Sequence, residues 1–144
     1  MPVEQLSPVE WLSQADPTPE HAYNWWVQHP DEIAMIPAGV LFDAVKVRLA
    51  LGDRMRAALG ASSGPVFSDA DNGTTYFLVP PGTAAVWPAD KEAACLGAEA
   101  WLWVPVPSRI QRTHSYWDTP PDGSGALHDP QALLDALATI RGAS

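Results

Sequence analysis

Carboxylates are the residues of this chain whose spacing bears most directly on metal chemistry. Two or three carboxylates that converge on divalent metal ions can support nucleotidyl transfer, because the metals stabilise the attacking and leaving oxygens. Asp43 stands inside the apolar run GVLFDAVKVRL, which is typical of a buried strand. Residues i and i+2 share one face of a strand, so the same-face neighbours of Asp43 are Leu41 and Val45, and neither can bind a metal. We therefore favour a structural carboxylate at a strand end over a metal ligand.

The segment SDADNG holds a second acidic pair, Asp69 and Asp71. Gly73 stands one position too early for a calcium-binding loop, and Pro80 occupies the place of the bidentate acid. The pair is interpreted as solvated acids beside a hairpin turn. No GxGxxG, Walker or GxSxG motif is present. The histidines lack metal-binding spacing and are interpreted as helix-end or loop residues: His21, His29, His114 and His128.

Tryptophan is abundant, with seven copies, and its side chain can stack on bases or contact a protein. Trp25 and Trp26 project about 100° apart on a helix, which predicts one core and one partly exposed side chain. Trp101 and Trp103 share one strand face, and a core role is favoured for them and for the aromatic pair that follows. The candidates for a binding role are Trp25, Trp26, Tyr116 and Trp117.

Length and charge restrict the classes of protein to consider. A chain of 144 residues with 47% apolar residues fits one domain with a substantial core. Its net charge is −9, and the stretch from Met1 to Val45 holds seven acidic residues and no Lys or Arg. Such a surface repels phosphate, which disfavours non-specific nucleic-acid binding. The single cysteine, Cys95, is predicted to be a buried, reduced thiol.

We expect neither a membrane-spanning helix nor a signal peptide from the sequence. No segment approaches the roughly 18 to 20 apolar residues of a membrane-spanning helix. The beginning, MPVEQLSPVE, lacks the basic residues that start a signal peptide. The prediction is a cytoplasmic protein with no membrane association.

Turn residues and apolar periodicity predict the element order α-α-β-β-α-β-β-β-β-α. This is an α+β single domain over residues 1–144, with a mostly antiparallel mixed sheet flanked by helices. N-terminal helices at about 8–29 and a C-terminal helix at about 130–141 are expected to pack on the central sheet. Ser7 with Glu10 predicts a capping box, and Thr18 is the predicted cap of the second helix. Asn72-Gly73 predicts a tight primed hairpin turn.

Four segments in this order resemble the N-terminal primase-polymerase domain of bacterial, phage and plasmid replication proteins, of the archaeo-eukaryotic primase type. They span roughly residues 20 to 121 and read NWWVQHPDEIAMIPAG, LFDAVKV, GPVFSDADNGTTYFLVPPG and AWLWVPVPSRIQRTHSYWDTPP. The first is similar to the family's helix with paired tryptophans and the strand after it. The others take the places of its acidic strand, its glycine-turn hairpin and its strand, Pro-Ser corner and Tyr-x-Trp segment.

This chain differs from that family at the residues that carry out its chemistry. The family's acidic strand carries Asp-x-Asp for metals, whereas this chain has Val45 two residues after Asp43. Its hairpin histidine, which contacts phosphate, is replaced by Thr74 or Thr75, although the Pro-Ser-Arg corner is retained. The resemblance thus implies a scaffold without catalytic residues, metal or cofactor. Its vestigial-site candidates are Asp43, Thr75, Ser108 and Arg109.

Three functional hypotheses follow. The preferred one is a pseudoenzyme that acts by binding, as a protein-interaction or regulatory module with a protein partner, and with a nucleotide as a further ligand to consider. The enzyme alternative is residual nucleotidyl transfer or nucleotide hydrolysis with Mg²⁺ or Mn²⁺, using Asp43 and an acid such as Asp118. A further alternative is an acidic mimic of nucleic acid that blocks a DNA-binding protein.

Overall fold

The computed structural model describes residues 6–29, 32–60 and 64–142. Within these ranges the helices are α1 (Pro8–Ser13), α2 (Pro19–Gln28), α3 (Leu49–Leu59) and α4 (Pro130–Gly142). The strands are β1 (Ile33–Pro37), β2 (Asp43–Arg48), β3 (Val66–Asp69), β4 (Thr74–Val79), β5 (Ala93–Leu96), β6 (Trp101–Pro105) and β7 (Ser115–Thr119). The predicted α+β class is confirmed. Strand β5 was not predicted from the sequence, because its small residues have low strand propensity. It forms a strand because it pairs with β2.

The strands form two separate antiparallel sheets. Five strands make the larger sheet in the order β5-β2-β4-β3-β7. One of its faces packs against α3 and α4 through a cluster that includes Val45, Phe77 and Leu133. Its other face, with Phe67 and Leu78, packs against the remaining elements. This sheet is thus covered on both faces, and each face contributes apolar burial to stability.

The smaller sheet is a two-stranded ribbon of β1 and β6. Its register places Met35 opposite Trp103 and Pro37 opposite Trp101. Ile36 and Leu102, which point the other way, are buried in the same cluster as α1, α2 and the larger sheet. Because side chains alternate along a strand, burial of one face of the ribbon leaves the opposite face directed away from the core.

Local sequence explains how the first helices begin. The capping box of α1 is confirmed, since the Ser7 hydroxyl accepts from the Glu10 amide and the Glu10 carboxylate accepts from the Ser7 amide. Thr18, however, makes no side-chain cap on α2. The Thr18 amide instead donates to the Asp16 carboxylate at 2.8 Å. The entry to α2 is therefore fixed by an aspartate turn before the helix and by Pro19 at its first position.

The hairpin between β3 and β4 is present, but its turn differs from the prediction. Asp69 pairs with Thr74, so four residues connect the strands rather than two. Only Gly73 of the Asn-Gly pair has a positive φ, of 66°. The Asp69 carboxylate accepts hydrogen bonds from both the backbone and the side-chain amide of Asn72. These bonds favour the longer turn over the primed turn, which needs a positive φ at Asn72 as well.

Helix α3 lies close to the sheet at Gly52. A methyl group at this position would lie 2.7 Å from Cβ of Thr75 on β4. Overpacking of this kind costs about 1 to 3 kcal/mol, against a helix-propensity gain of about 1 kcal/mol for alanine. We expect Gly52→Ala to lower the free energy of unfolding by about 1 kcal/mol in urea titrations. Ala58→Gly, at an exposed position of the same helix, is the control that measures helix propensity alone. A Gly52→Ala variant more stable than wild type would contradict the close packing of Gly52 against Thr75.

None of the helices within the described ranges is long and apolar enough to cross a membrane.

Candidate functional site

Asp43, the first residue of β2, is a buried carboxylate that holds a neighbouring turn. It is 1% exposed, and its Oδ2 accepts from the amides of Gly82 at 3.0 Å and Ala84 at 2.9 Å. These amides open the short 3-10 turn Thr83–Ala85, which connects β4 to β5. Within the described ranges no hydrogen-bond donor reaches Oδ1. The geometry gives Asp43 a structural role, because it ties this connection to the start of β2.

Cys95 lies across from Val45, close to Asp43. It is half-buried rather than fully buried, which corrects the expectation from sequence, and it is a free thiol. Burial and, to a lesser degree, the negative charge of Asp43 raise the pKa of the Cys95 thiol to about 12. The thiol is therefore protonated at neutral pH and is a poor nucleophile and metal ligand.

A second buried carboxylate, Asp118 on β7, lies in a polar cluster of the sheet. Its side chain is 3% exposed, and its Oδ2 accepts from the Ser68 hydroxyl at 2.5 Å. The Ser68 oxygen lies 2.9 Å from the Thr75 hydroxyl, which therefore donates to it. Arg56 and Arg112 approach Oδ1 of Asp118 at 3.6 and 4.0 Å. The Ser68 hydroxyl and two arginines thus surround the Asp118 carboxylate, and this cluster joins β3, β4, β7 and α3.

Sequence reasoning had named Asp118 only as a second acid and had missed its partners. The available signal was the hairpin, whose pairing sets Ser68 directly opposite Thr75. That pairing brings two hydroxyls to one face of the sheet, where a neighbouring strand can supply an acid. Asp118 could be identified as that acid only if the pairing of β3 with β7 were also known.

The two buried carboxylates do not lie together. Asp43 is on β2 and Asp118 on β7, with β4 and β3 between them. Three steps between neighbouring strands separate them by at least about 14 Å, far beyond the roughly 4 Å across which two catalytic metals are bridged. Within residues 6–29, 32–60 and 64–142, no group of three or more His, Cys, Asp or Glu side chains is placed to hold a metal.

The vestigial-site candidates are likewise dispersed. Thr75 is opposite Val47, four residues along β2 from Asp43, or about 13 Å away. Ser108 is exposed in the turn after β6. Arg109 follows it, and its Nε donates to the Ser115 carbonyl at 2.8 Å. Thr75 belongs to the Asp118 cluster, whereas Arg109 belongs to a surface cleft, so the structure brings no single phosphate-facing site together from these residues.

The aromatic residues divide differently from the sequence prediction. Trp26, Tyr116 and Trp117 are at most 3% exposed, so these three binding candidates lie in the core. Of the four candidates, Trp25 is the exposed one, at 42%, and the expected division of the Trp25–Trp26 pair is confirmed. The core role favoured for Trp101 and Trp103 is wrong, because they are 56% and 55% exposed. Strand pattern alone could not tell which face of β6 the core would cover.

The outward side chains of the ribbon form an exposed apolar surface, which we call the ribbon face: Met35, Trp101 and Trp103. Met35 is 43% exposed. The indole of Trp25 borders the ribbon and donates to the Ile33 carbonyl at 3.0 Å. Side chains of this size lose much more solvent contact on association than small ones do, so the ribbon face is a candidate binding surface.

Trp103 stands between two surface clefts. The hairpin cleft, of about 400 Å³, separates the ribbon from the β3–β4 turn and is lined by Glu32, Ile33, Asp69, Asp71, Asn72, Trp103, Arg109, His114 and Ser115. The helix cleft, of about 210 Å³, separates the ribbon from α2 and is lined by Asp16, His21, Ala22, Trp25, Ile33, Ala34, Met35 and Trp103. The hairpin cleft is largely polar, whereas the helix cleft is mostly apolar with one carboxylate, Asp16. An exposed apolar ridge between two such clefts suits recognition of another molecule better than enclosure of a small substrate.

In comparisons with known proteins, no family model, no curated protein and no solved structure matches the chain.

Proposed function

We propose that the protein is a non-catalytic, primase-polymerase-like module that acts by binding another protein, in an interaction or regulatory role. The observation that carries this proposal is the ribbon face, where Trp101 and Trp103 are each more than half exposed on one side of a two-stranded sheet. Aromatic residues and methionine are enriched at protein interfaces, and buried tryptophans contribute a large share of binding free energy.

Two further features support a binding role over catalysis. Oδ2 of Asp43 and Oδ2 of Asp118 each accept structural hydrogen bonds, and strands β4 and β3 lie between the two residues. The resembled family needs paired acids on one strand for its chemistry, and the segment LFDAVKV lacks the second acid. A scaffold that retains element order but not the paired acids is consistent with a pseudoenzyme.

Affinity capture tests the proposal. The tagged protein is mixed with the products of its genomic neighbours, and bound protein is quantified for wild type and for a Trp101→Ser/Trp103→Ser variant. We expect a specific partner at micromolar concentration, with capture by the double variant reduced by about thirty-fold or more, because both anchors of the interface are lost.

Ile110→Ser is the matched control, since Ile110 is 60% exposed but is not part of the ribbon face. It should capture as much partner as wild type. Absence of any partner, or equal capture by the double variant, would contradict the proposal.

The enzyme alternative has its own test. If nucleotide and metal bind at Asp43 or Asp118, then Mg²⁺ or Mn²⁺ with a nucleotide raises the melting temperature, because ligands that bind the folded state stabilise it. The binding-module proposal predicts no rise that depends on the metal. A saturable rise that Asp118→Asn abolishes would favour the enzyme.

A further inference from the structure

Charged groups around the ribbon face indicate the chemistry of its partner. The two clefts on either side of Trp103 are lined by four carboxylates and one arginine. The carboxylates are Asp16, Glu32, Asp69 and Asp71, and the arginine is Arg109. An apolar ridge bordered on both sides by excess negative charge favours a partner with apolar and cationic groups.

Within the part of the chain that the structure describes, Asp16, Asp69 and Asp71 contact neutral donors or a histidine and no Lys or Arg. Asp69 accepts from the amides of Asn72, and Asp16 accepts from the Thr18 amide, and both are neutral donors. Asp71 Oδ2 lies 2.8 Å from Nδ1 of His114, which compensates its charge only when the imidazole is protonated.

Among the described residues that line the hairpin cleft, Arg109 is the one arginine, and its Nε donates to the Ser115 carbonyl. Its single positive charge leaves the cleft acidic beside Glu32, Asp69 and Asp71. In the helix cleft Asp16 is accompanied by His21, whose Nδ1 lies 3.7 Å from Oδ2 of Asp16. A cation that enters either cleft therefore meets a carboxylate and, at Trp103, an indole ring whose face attracts cations.

Two other occupants fit this charge poorly. A second copy of the chain would bring the same acidic clefts face to face, and like charges across an interface cost affinity. A nucleic-acid strand would stack bases on Trp101 and Trp103, but its phosphates would meet the carboxylates of the two clefts.

We propose that the ribbon face binds an extended, basic segment of a partner protein, in which apolar side chains contact Met35, Trp101 and Trp103 and Lys or Arg side chains enter the clefts beside Trp103. This inference rests on the proposed binding function and adds the chemistry of the partner. Alternation of apolar and basic residues matches an apolar ridge between acidic recesses.

The test uses acetyl-Lys-Leu-Lys-Leu-Lys-Leu-Lys-amide as the probe and the same peptide with Glu in place of Lys as its control. Each is titrated into ¹⁵N-labelled full-length protein while the indole N–H signals are followed by NMR. We expect saturable shifts of the Trp101 and Trp103 signals with the Lys peptide and none with the Glu peptide. Raising NaCl from about 50 to about 300 mM should weaken the binding about five-fold, because exposed charges are screened.

Variants locate the effect. Trp103→Ser should weaken Lys-peptide binding about ten-fold or more, and Glu32→Gln with Asp71→Asn should weaken it several-fold and reduce its salt dependence. Ile110→Ser should leave it unchanged. Equal binding of the two peptides, binding unaffected by Trp103→Ser, or no binding of the Lys peptide would overturn the basic-segment proposal. Since partner capture with the Trp101→Ser/Trp103→Ser variant is measured separately, the inference can fail while the proposed binding function stands.

Discussion

Replacing Asp43 with alanine is expected to lower the free energy of unfolding by about 3 kcal/mol, because two hydrogen bonds to a buried carboxylate are lost. The amides of Gly82 and Ala84 both donate to Oδ2 of Asp43, and Asp43 is 1% exposed. The connection from β4 to β5 would lose its attachment to β2. Urea unfolding in the presence of EDTA measures the loss without any contribution from a metal.

Asp43→Asn separates hydrogen bonding from charge. The amide oxygen of asparagine can still accept from the turn, so we expect a smaller loss of about 1 kcal/mol. Asp71→Ala, at an exposed carboxylate, should change the free energy of unfolding by less than about 0.5 kcal/mol. The metal-ligand interpretation predicts the opposite result, since an unpaired buried charge destabilises the metal-free protein. An Asp43→Ala variant as stable as wild type in EDTA would therefore refute the structural role.

Acid is expected to destabilise the protein through His128. This side chain is 3% exposed, and its Nδ1 accepts from the Gly64 amide at 3.2 Å, while Nε2 lies 3.1 Å from the Pro65 carbonyl and carries the proton. Burial lowers the pKa of His128 to about 4, although the Pro65 carbonyl favours the charged form. A proton on Nδ1 would remove the lone pair that the Gly64 amide needs.

The sign of the pH effect follows from this lowered pKa. The unfolded chain binds a proton at His128 near pH 6.5, whereas the folded chain does so only near 4. Stability from the neutral imidazole is thus complete above about pH 6.5 and is lost as the pH falls through about 4. A difference of this size corresponds to about 3 kcal/mol of unfolding free energy over that window.

His128→Gln removes the titrating group, so the stability advantage of wild type over this variant should shrink by about 3 kcal/mol between pH 7 and pH 4 in urea titrations. His21→Gln is the matched control, because it makes the same substitution at an exposed histidine. The NMR titration of the His128 ring should show an inflection near pH 4. An inflection near pH 6.5 would contradict the buried, neutral state.

Sequence patterns predicted most of the elements because each depends on local chemistry. The capping box at Ser7 and the Pro130 start of the last helix are encoded within a few residues. The edge strand β5 was missed because its order comes from its neighbour β2. The hairpin was expected, but the carboxylate of Asp69 selects a longer turn than the Asn-Gly pair suggests.

The candidate site was harder to predict than the elements, because it depends on which face of a strand the core covers. Trp101 and Trp117 both lie in strands, yet Trp101 is 56% exposed and Trp117 1% exposed. The difference arises because β6 pairs with β1 in the separate two-stranded ribbon, whereas β7 pairs with β3 in the larger sheet. His128 shows the same limit, since its burial depends on contacts with Gly64 and Pro65 that are distant in sequence.

Isothermal titration calorimetry of the captured partner with wild type and with the Trp101→Ser/Trp103→Ser variant tests the binding role of the ribbon face most directly. Our account predicts a dissociation constant for the variant at least about thirty-fold weaker than for wild type, because the two exposed indoles are the anchors of the interface. Ile110→Ser should bind as wild type does. Equal dissociation constants for wild type and the double variant would contradict the account.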